Sequence, residues 1–87
     1  GEFRLEQNYP NPFNPVTTIS FNLAREGWVR LQVYDVRGRL IQTLVDERKP
    51  AGIHNASFNA EALGSGVYFY QLTSGSFADR KRMLLVR

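Results

Sequence analysis

The sequence predicts an all-β chain, an Ig-like antiparallel β-sandwich of about seven short strands, on three observations. Apolar and polar residues alternate at period two in one segment after another, the pattern of a half-buried strand. No window carries apolar residues at helical spacing for more than about a turn. Turn sequences, most bearing a glycine, separate the segments at short intervals with no helix between them.

Taken in order, Phe3–Gln7 is one candidate for the seventh strand, a split of one of the six later strands being the other, and QNYPNPFNP (Gln7–Pro15) follows it. Each proline there fixes φ near about −65° and lacks a backbone donor, and each holds the residue before it extended. The segment is therefore a shaped loop. Asn8, Asn11 and Asn14 are expected to bond their own backbone, and Tyr9 and Phe13 to pin the loop on the sandwich end. Thr17–Leu23 (TTISFNL) sets Ile19, Phe21 and Leu23 against Thr18, Ser20 and Asn22. Trp28–Asp35 (WVRLQVYD) sets Val29, Leu31 and Val33 against Arg30 and Gln32. Arg39–Val45 is less regular but rich in branched residues, and Asp46-Glu47-Arg48-Lys49 is read as loop. Ile53–Phe58, Val67–Thr73 and Phe77–Val86 complete the strands, with Val67–Tyr70 apolar on both faces and hence central. Asp35-Val36-Arg37-Gly38 has the preferences of a type I turn, and Ser74-Gly75-Ser76 suits a tight hairpin. Arg25–Gly27, Pro50–Gly52 and Gly64–Gly66 mark three further corners.

Eighty-seven residues make one domain, and 43% hydrophobic with 13% aromatic content is that of a folded chain. The expected organisation is a linker end or cloning remnant over residues 1–4 and the domain over 5–87. Without cysteine there is no disulfide, thiolate nucleophile or thiolate metal site. No run reaches the length of a membrane helix.

Catalytic groups are sparse, and an enzyme is not expected. His54, the sole histidine, has no serine or aspartate tied to it by a sequence signature. Asp46-Glu47 is answered by Arg48-Lys49, which disfavours a calcium loop, so neither metal nor cofactor is expected. Trp28, Tyr34, Tyr68 and Tyr70 have two readings, core packing or a flat platform for sugar rings. Asn55-Ala56-Ser57 matches a glycosylation sequon, a three-residue pattern of little weight. Net charge is +3, a mild excess that does not call for nucleic acid. The one basic cluster, Arg80-Lys81-Arg82, has readings as nucleic-acid contact, as protection of an edge strand, or, with the hydrophobic strand that follows it, as a handle gripped by a receptor through edge pairing and pockets for alternate side chains.

In order, "YPNPFNP", "TTISFNL", "VRLQVYDVRGRLIQTLV", "PAGIHNASF", "LGSGVYFYQL" and "KRMLLVR" closely resemble the type A C-terminal sorting domain of the type IX secretion system. That family is similar to the Ig-like domain of the flagellar hook-capping protein, and the resemblance covers about residue 5 to Arg87. It implies a non-catalytic signal attached to an N-terminal cargo that passes through the periplasm. An outer-membrane translocon and its sorting machinery then recognise the domain, and the cargo ends secreted or on the cell surface. By position it implies recognition through Lys81, Arg82, Met83, Leu84, Leu85, Val86 and Arg87. The fold-shaping positions are Tyr9, Pro10, Asn11, Pro12, Phe13, Asn14, Pro15, Asp35, Gly38, Gly52, Gly66 and Tyr68. A monomer without nucleic acid or a transmembrane segment is expected. Two other roles stay open at this stage, a carbohydrate-binding accessory module of a secreted glycanase and a structural role like that of the flagellar cap.

Overall fold

The computed structural model describes all of residues 1–87 and forms seven strands. They are Arg4–Leu5 (β1), Val16–Leu23 (β2), Gly27–Tyr34 (β3), Leu40–Lys49 (β4), Gly52–Asn59 (β5), Gly66–Ser74 (β6) and Phe77–Leu85 (β7). All pair antiparallel, in a three-stranded sheet ordered β1-β2-β5 and a four-stranded sheet ordered β4-β3-β6-β7. The all-β sandwich expected from period-two alternation is the observed fold. No helix is long and apolar enough to cross a membrane.

The alternation decides which side chains meet between the sheets. β2 buries Thr17, Ile19, Phe21 and Leu23, and β3 buries Val29, Leu31 and Val33. Phe58 of β5 joins the β2 layer, and Tyr70 and Leu72 of β6 with Met83 and Leu85 of β7 complete the facing layer of β3. β6 lies between β3 and β7, as its two apolar faces require. β7 is an edge strand, so Arg80-Lys81-Arg82 occupies a sheet edge.

The first hairpin turn forms as its residues dictate. Gly38 N donates to Asp35 O at 3.0 Å, while Asp35 Oδ1 accepts from the amides of Arg37 and Arg39. Gly38 sits at φ +81°, a conformation costly for a residue with a Cβ. The second hairpin turns through Gly75-Ser76.

One element differs from expectation. Asp46-Glu47-Arg48-Lys49 is not loop but the last four residues of β4, in register with Arg30, Val29, Trp28 and Gly27. The charges are compatible with a strand because β4 is an edge and their heads reach water and one another. Arg30 Nε lies 3.4 Å from Asp46 Oδ1, Arg48 Nε 3.2 Å from Glu26 Oε2, and Lys49 Nζ 3.0 Å from Glu47 Oε2. Two register shifts, between Leu31 and Gln32 and between Val33 and Tyr34, account for the irregular alternation of Arg39–Val45.

Residues 1–4 lie against the sandwich. Phe3 stacks on Phe77 with ring centroids 5.2 Å apart, and Asn22 Nδ2 donates to Glu2 O.

Candidate recognition surface

The loop Gln7–Pro15 and the end of β7 are the two segments the sequence singles out, and they meet. A chain with three prolines in nine residues must find its hydrogen-bond partners elsewhere, and those partners lie on β2, on β6 and, at four groups, on the terminal strand. Phe13 N donates to Leu84 O at 3.0 Å, and Val86 N donates to Phe13 O at 3.0 Å. Leu84 N donates to Asn11 Oδ1 at 3.0 Å, and Gln7 Nε2 donates to Arg82 O at 2.7 Å. These groups belong to the outward edge of β7 from Arg82 to Val86, the edge a further strand would need. Four of them are thus engaged by the loop. Receptor pairing with that edge, one of the readings of the basic cluster, is blocked in this conformation.

Asn8, not Tyr9, anchors the loop at its start. Tyr9 was expected to pack on the sandwich; its backbone pairs with Thr18, but its side chain is 81% exposed. Asn8 is 2% exposed, and its amide donates to Tyr70 Oη at 2.8 Å. Its Nδ2 donates to Thr17 Oγ1 and Pro10 O, and its Oδ1 accepts from Gln7 Nε2. Tyr70 Oη in turn donates to Glu6 O at 2.7 Å. Burial keeps that phenol neutral and pushes its pKa up to about 12. Phe13, 2% exposed and 6.1 Å from the Phe58 ring, does pin the loop as expected. Pro10 O also accepts from Thr17 Oγ1, and Pro15 O accepts from Ala60 N at 2.8 Å. Asn14 is exposed.

The terminal residues alternate in role. Met83 and Leu85 are core; Arg82, Leu84 and Val86 face outward, and Lys81 is half-buried opposite Tyr70. Arg87 is drawn back on the chain: its Nη1 donates to the carbonyls of Glu61 at 2.6 Å and Leu63 at 2.9 Å, and its amide donates to Ser65 Oγ. Tyr68 Oη holds the same crossover through Gly64 O at 2.8 Å. Gly52 and Gly66 begin β5 and β6 at positive φ, and Asp35 and Gly38 close the β3–β4 turn.

Between the loop and the outer face of the strand lies a groove of about 480 Å³, lined by Asn11, Pro12, Val67, Arg82, Met83 and Leu84. The outer face beside it is ordered in rows across the sheet. Tyr34 is in register with Leu40 and Phe69, Phe69 with Arg82, and Val67 with Leu84. The Arg80 guanidinium lies 5.8 Å from the Tyr34 ring centroid and 5.9 Å from that of Phe69, and donates to Gln71 Oε1. No acidic group lies within ion-pair distance of Arg80, Lys81 or Arg82, whereas Arg4, Arg30, Arg39, Arg48 and Lys49 each have at least one.

The aromatic residues do not form one platform. Tyr70 is core, Tyr68 packs against the core, and Tyr34 lies beneath Arg80. Trp28 is 55% exposed, but at about 3.3 Å per residue it stands roughly 20 Å along β3 from Tyr34. Its Nε1 donates to Asp46 Oδ1 at 2.7 Å, and that bond, with the Arg30 charge, holds the carboxyl below its ordinary range. His54 lies over Phe21 with its Nε2 2.8 Å from Pro50 O, and no cluster of metal-ligating side chains forms.

Two solved structures share this architecture. PorU of Porphyromonas gingivalis, in its dimeric latent form, matches with a TM-score of 0.74 at 18% identity, over 99% of this chain and 10% of that one. PorZ of the same organism, described as an essential surface component of the type IX secretion system, matches with a TM-score of 0.62 at 19% identity, over 98% of this chain and 11% of that one. The chain thus spans about a tenth of each, and identities this low speak for the fold. No curated protein matches the sequence. The family model of the secretion system C-terminal sorting domain matches residues 7–86, from the proline loop through the terminal strand. This chain therefore belongs to that sorting-domain family, the one its motifs resemble.

Proposed function

We propose that the domain is a non-catalytic export signal for a larger protein joined to its N-terminal side, carried through the periplasm and across the outer membrane by the type IX secretion system. The single observation that carries this reading is the family match, which runs through every element from the proline loop to Val86. The partners are the translocon and sorting machinery in the outer membrane, and the destination is the medium or the cell surface, with the domain cleaved off or exchanged for a surface link. The domain acts as a monomer, without cofactor or nucleic acid. Residues Lys81–Arg87 carry recognition, and the loop from Tyr9 to Pro15 with Asp35, Gly38, Gly52, Gly66 and Tyr68 shapes the fold that presents them.

The test is a fusion of residues 1–87 to a periplasmic reporter in a host with this system. Export of the reporter is the expected outcome, and retention in the periplasm of a folded fusion refutes the reading. Deleting Lys81–Arg87 is a blunt variant, because it also strips Met83 and Leu85 from the core. Substitutions at the outward residues Arg82 and Leu84 keep the core and are the sharper choice.

A further inference from the structure

From Arg82 to Val86 the edge of the terminal strand is occupied by the loop, so a partner that reads this half of the strand must read its outward side chains. Arg82 and Leu84 are those side chains, and they form one wall of the groove whose other wall is Asn11 and Pro12. Val67, in register with Leu84, gives an apolar floor, and Phe69, in register with Arg82, extends it toward Tyr34 and the 53% exposed Leu40. The rim is cationic without an internal counter-charge, since Arg80 and Arg82 have no carboxylate partner. The acid nearest to them in sequence, Asp79, accepts from the Arg80 amide. A half-buried apolar floor beside the exposed Leu84 and unpaired guanidinium groups is complementary to an aliphatic side chain flanked by carboxylate.

We propose that this groove receives an extended acidic segment of a partner protein, in which an aliphatic side chain enters over Val67 and Leu84 and an adjacent carboxylate engages Arg82. The proposal rests on the export reading and specifies how the partner grips the domain: by outer-face side chains, with the backbone edge left to the loop. Arg80 is a positioning residue held over Tyr34 and Phe69, presenting a second charge one strand repeat from Arg82. Because Asn11 and Pro12 build one wall, the site exists only when the loop is docked on the terminal strand.

Two measurements test it. In the first, the isotope-labelled domain is titrated with a synthetic peptide of alternating glutamate and leucine, and with its lysine–leucine counterpart. Shift changes at the amides of Asn11, Val67, Arg82 and Leu84 with the acidic peptide alone support the groove, and Arg82→Glu weakens them about tenfold or more. Absence of shifts, shifts centred elsewhere, or equal response to the basic peptide overturns it. So does the same set of shifts on raising the concentration of the domain alone, which makes the occupant a second copy, or on adding anionic lipid vesicles, which makes it a membrane. In the second, the reporter fusion carries Arg82→Glu or Leu84→Ser, with Arg48→Glu as a control at the far end of the sheet. A fall in export of about tenfold for the first two, with unchanged thermal midpoints and a normally exported control, supports the groove. If the wild-type fusion is exported and both groove variants are exported equally well, the groove fails and the export reading stands. If the folded wild-type fusion is not exported, the export reading fails on its own account.

Discussion

The two halves of β7 lie on one sheet edge and are protected by different means. From Phe77 to Lys81 the protection is local: Arg80 N donates to the neighbouring Asp79 carboxylate at 2.8 Å, and Asp79 and Lys81 stand half-buried on the inner side of the strand, in register with Leu72 and Tyr70. Charges directed inward deter an added strand by their own desolvation cost. From Arg82 to Val86 the protection comes from Gln7–Phe13, about seventy positions away in the chain. A local guard forms with its strand, whereas a guard from the other end of the chain forms only when the whole sandwich is closed. The lead-in loop and the terminal strand thus make a single surface that exists only in a completed fold.

Removing the loop's apolar anchor should break this comparison most severely. Phe13→Ala leaves a cavity against Phe58 and Leu85 and should cost about 3–5 kcal/mol, a large part of the stability of a small domain. Urea unfolding gives the loss. Hydrogen exchange should show the Val86 amide, which bonds Phe13 O, opening more readily than the amides of the β3–β6 ladder. An equal loss at all sites would show the seam to be no separate unit.

Tyr70→Phe comes next, at about 1–3 kcal/mol, because it strands the buried Asn8 amide without its partner. Its pH dependence has a definite sign. An unfolded tyrosine ionises near about 10, and Tyr70 in the fold at about 12, so the native state keeps its proton longer. The contribution is full below about pH 10 and is lost as pH rises through about 12. Urea midpoints measured from neutral to alkaline pH should fall along that limb in the wild type and less steeply in the variant. A parallel fall in both would place the alkaline sensitivity elsewhere.

What the sequence reveals follows the same division between local and distant. Ile19-Phe21-Leu23 and Val29-Leu31-Val33 could be assigned to the core because alternation is a property of neighbouring residues. Asp35 with Gly38 named its turn for the same reason. Asp46–Lys49 misled, since charge density looks the same in a loop and on an edge strand, and only pairing with Gly27–Arg30 distinguishes them. The burial of Asn8 was hidden more deeply. Its partners are Thr17 and the hydroxyl of Tyr70, 62 positions away, and no short-range pattern marks an asparagine that will be satisfied there. Arg87 is marked only as one of the terminal recognition residues, and no local pattern announces that its guanidinium donates to the carbonyls of Glu61 and Leu63. The family motifs named both the loop and the terminal strand, yet only their register, Phe13 beside Leu85, joins them into one site.

Two milder substitutions sharpen the contrast between the halves. Asn11→Ala removes the acceptor of Leu84 N at a solvent-facing edge and should cost about 1 kcal/mol in urea unfolding. The domain should remain monomeric, because Phe13 still covers the neighbouring groups. Asp79→Val should change stability least, within about 0.5 kcal/mol, since the carboxylate serves only an edge amide. Its effect should appear in association: with Lys81 left as the one inward charge, Phe77–Lys81 becomes less guarded and able to pair with a second copy. Sedimentation at increasing concentration should therefore show a dimer for Asp79→Val and none for Asn11→Ala. A dimer in the asparagine variant instead would mean that the hydrogen bond, and not the bulk of the docked loop, closes the far half of the edge. A monomer in both would mean that Lys81 alone guards the near half, leaving the local device with one working charge.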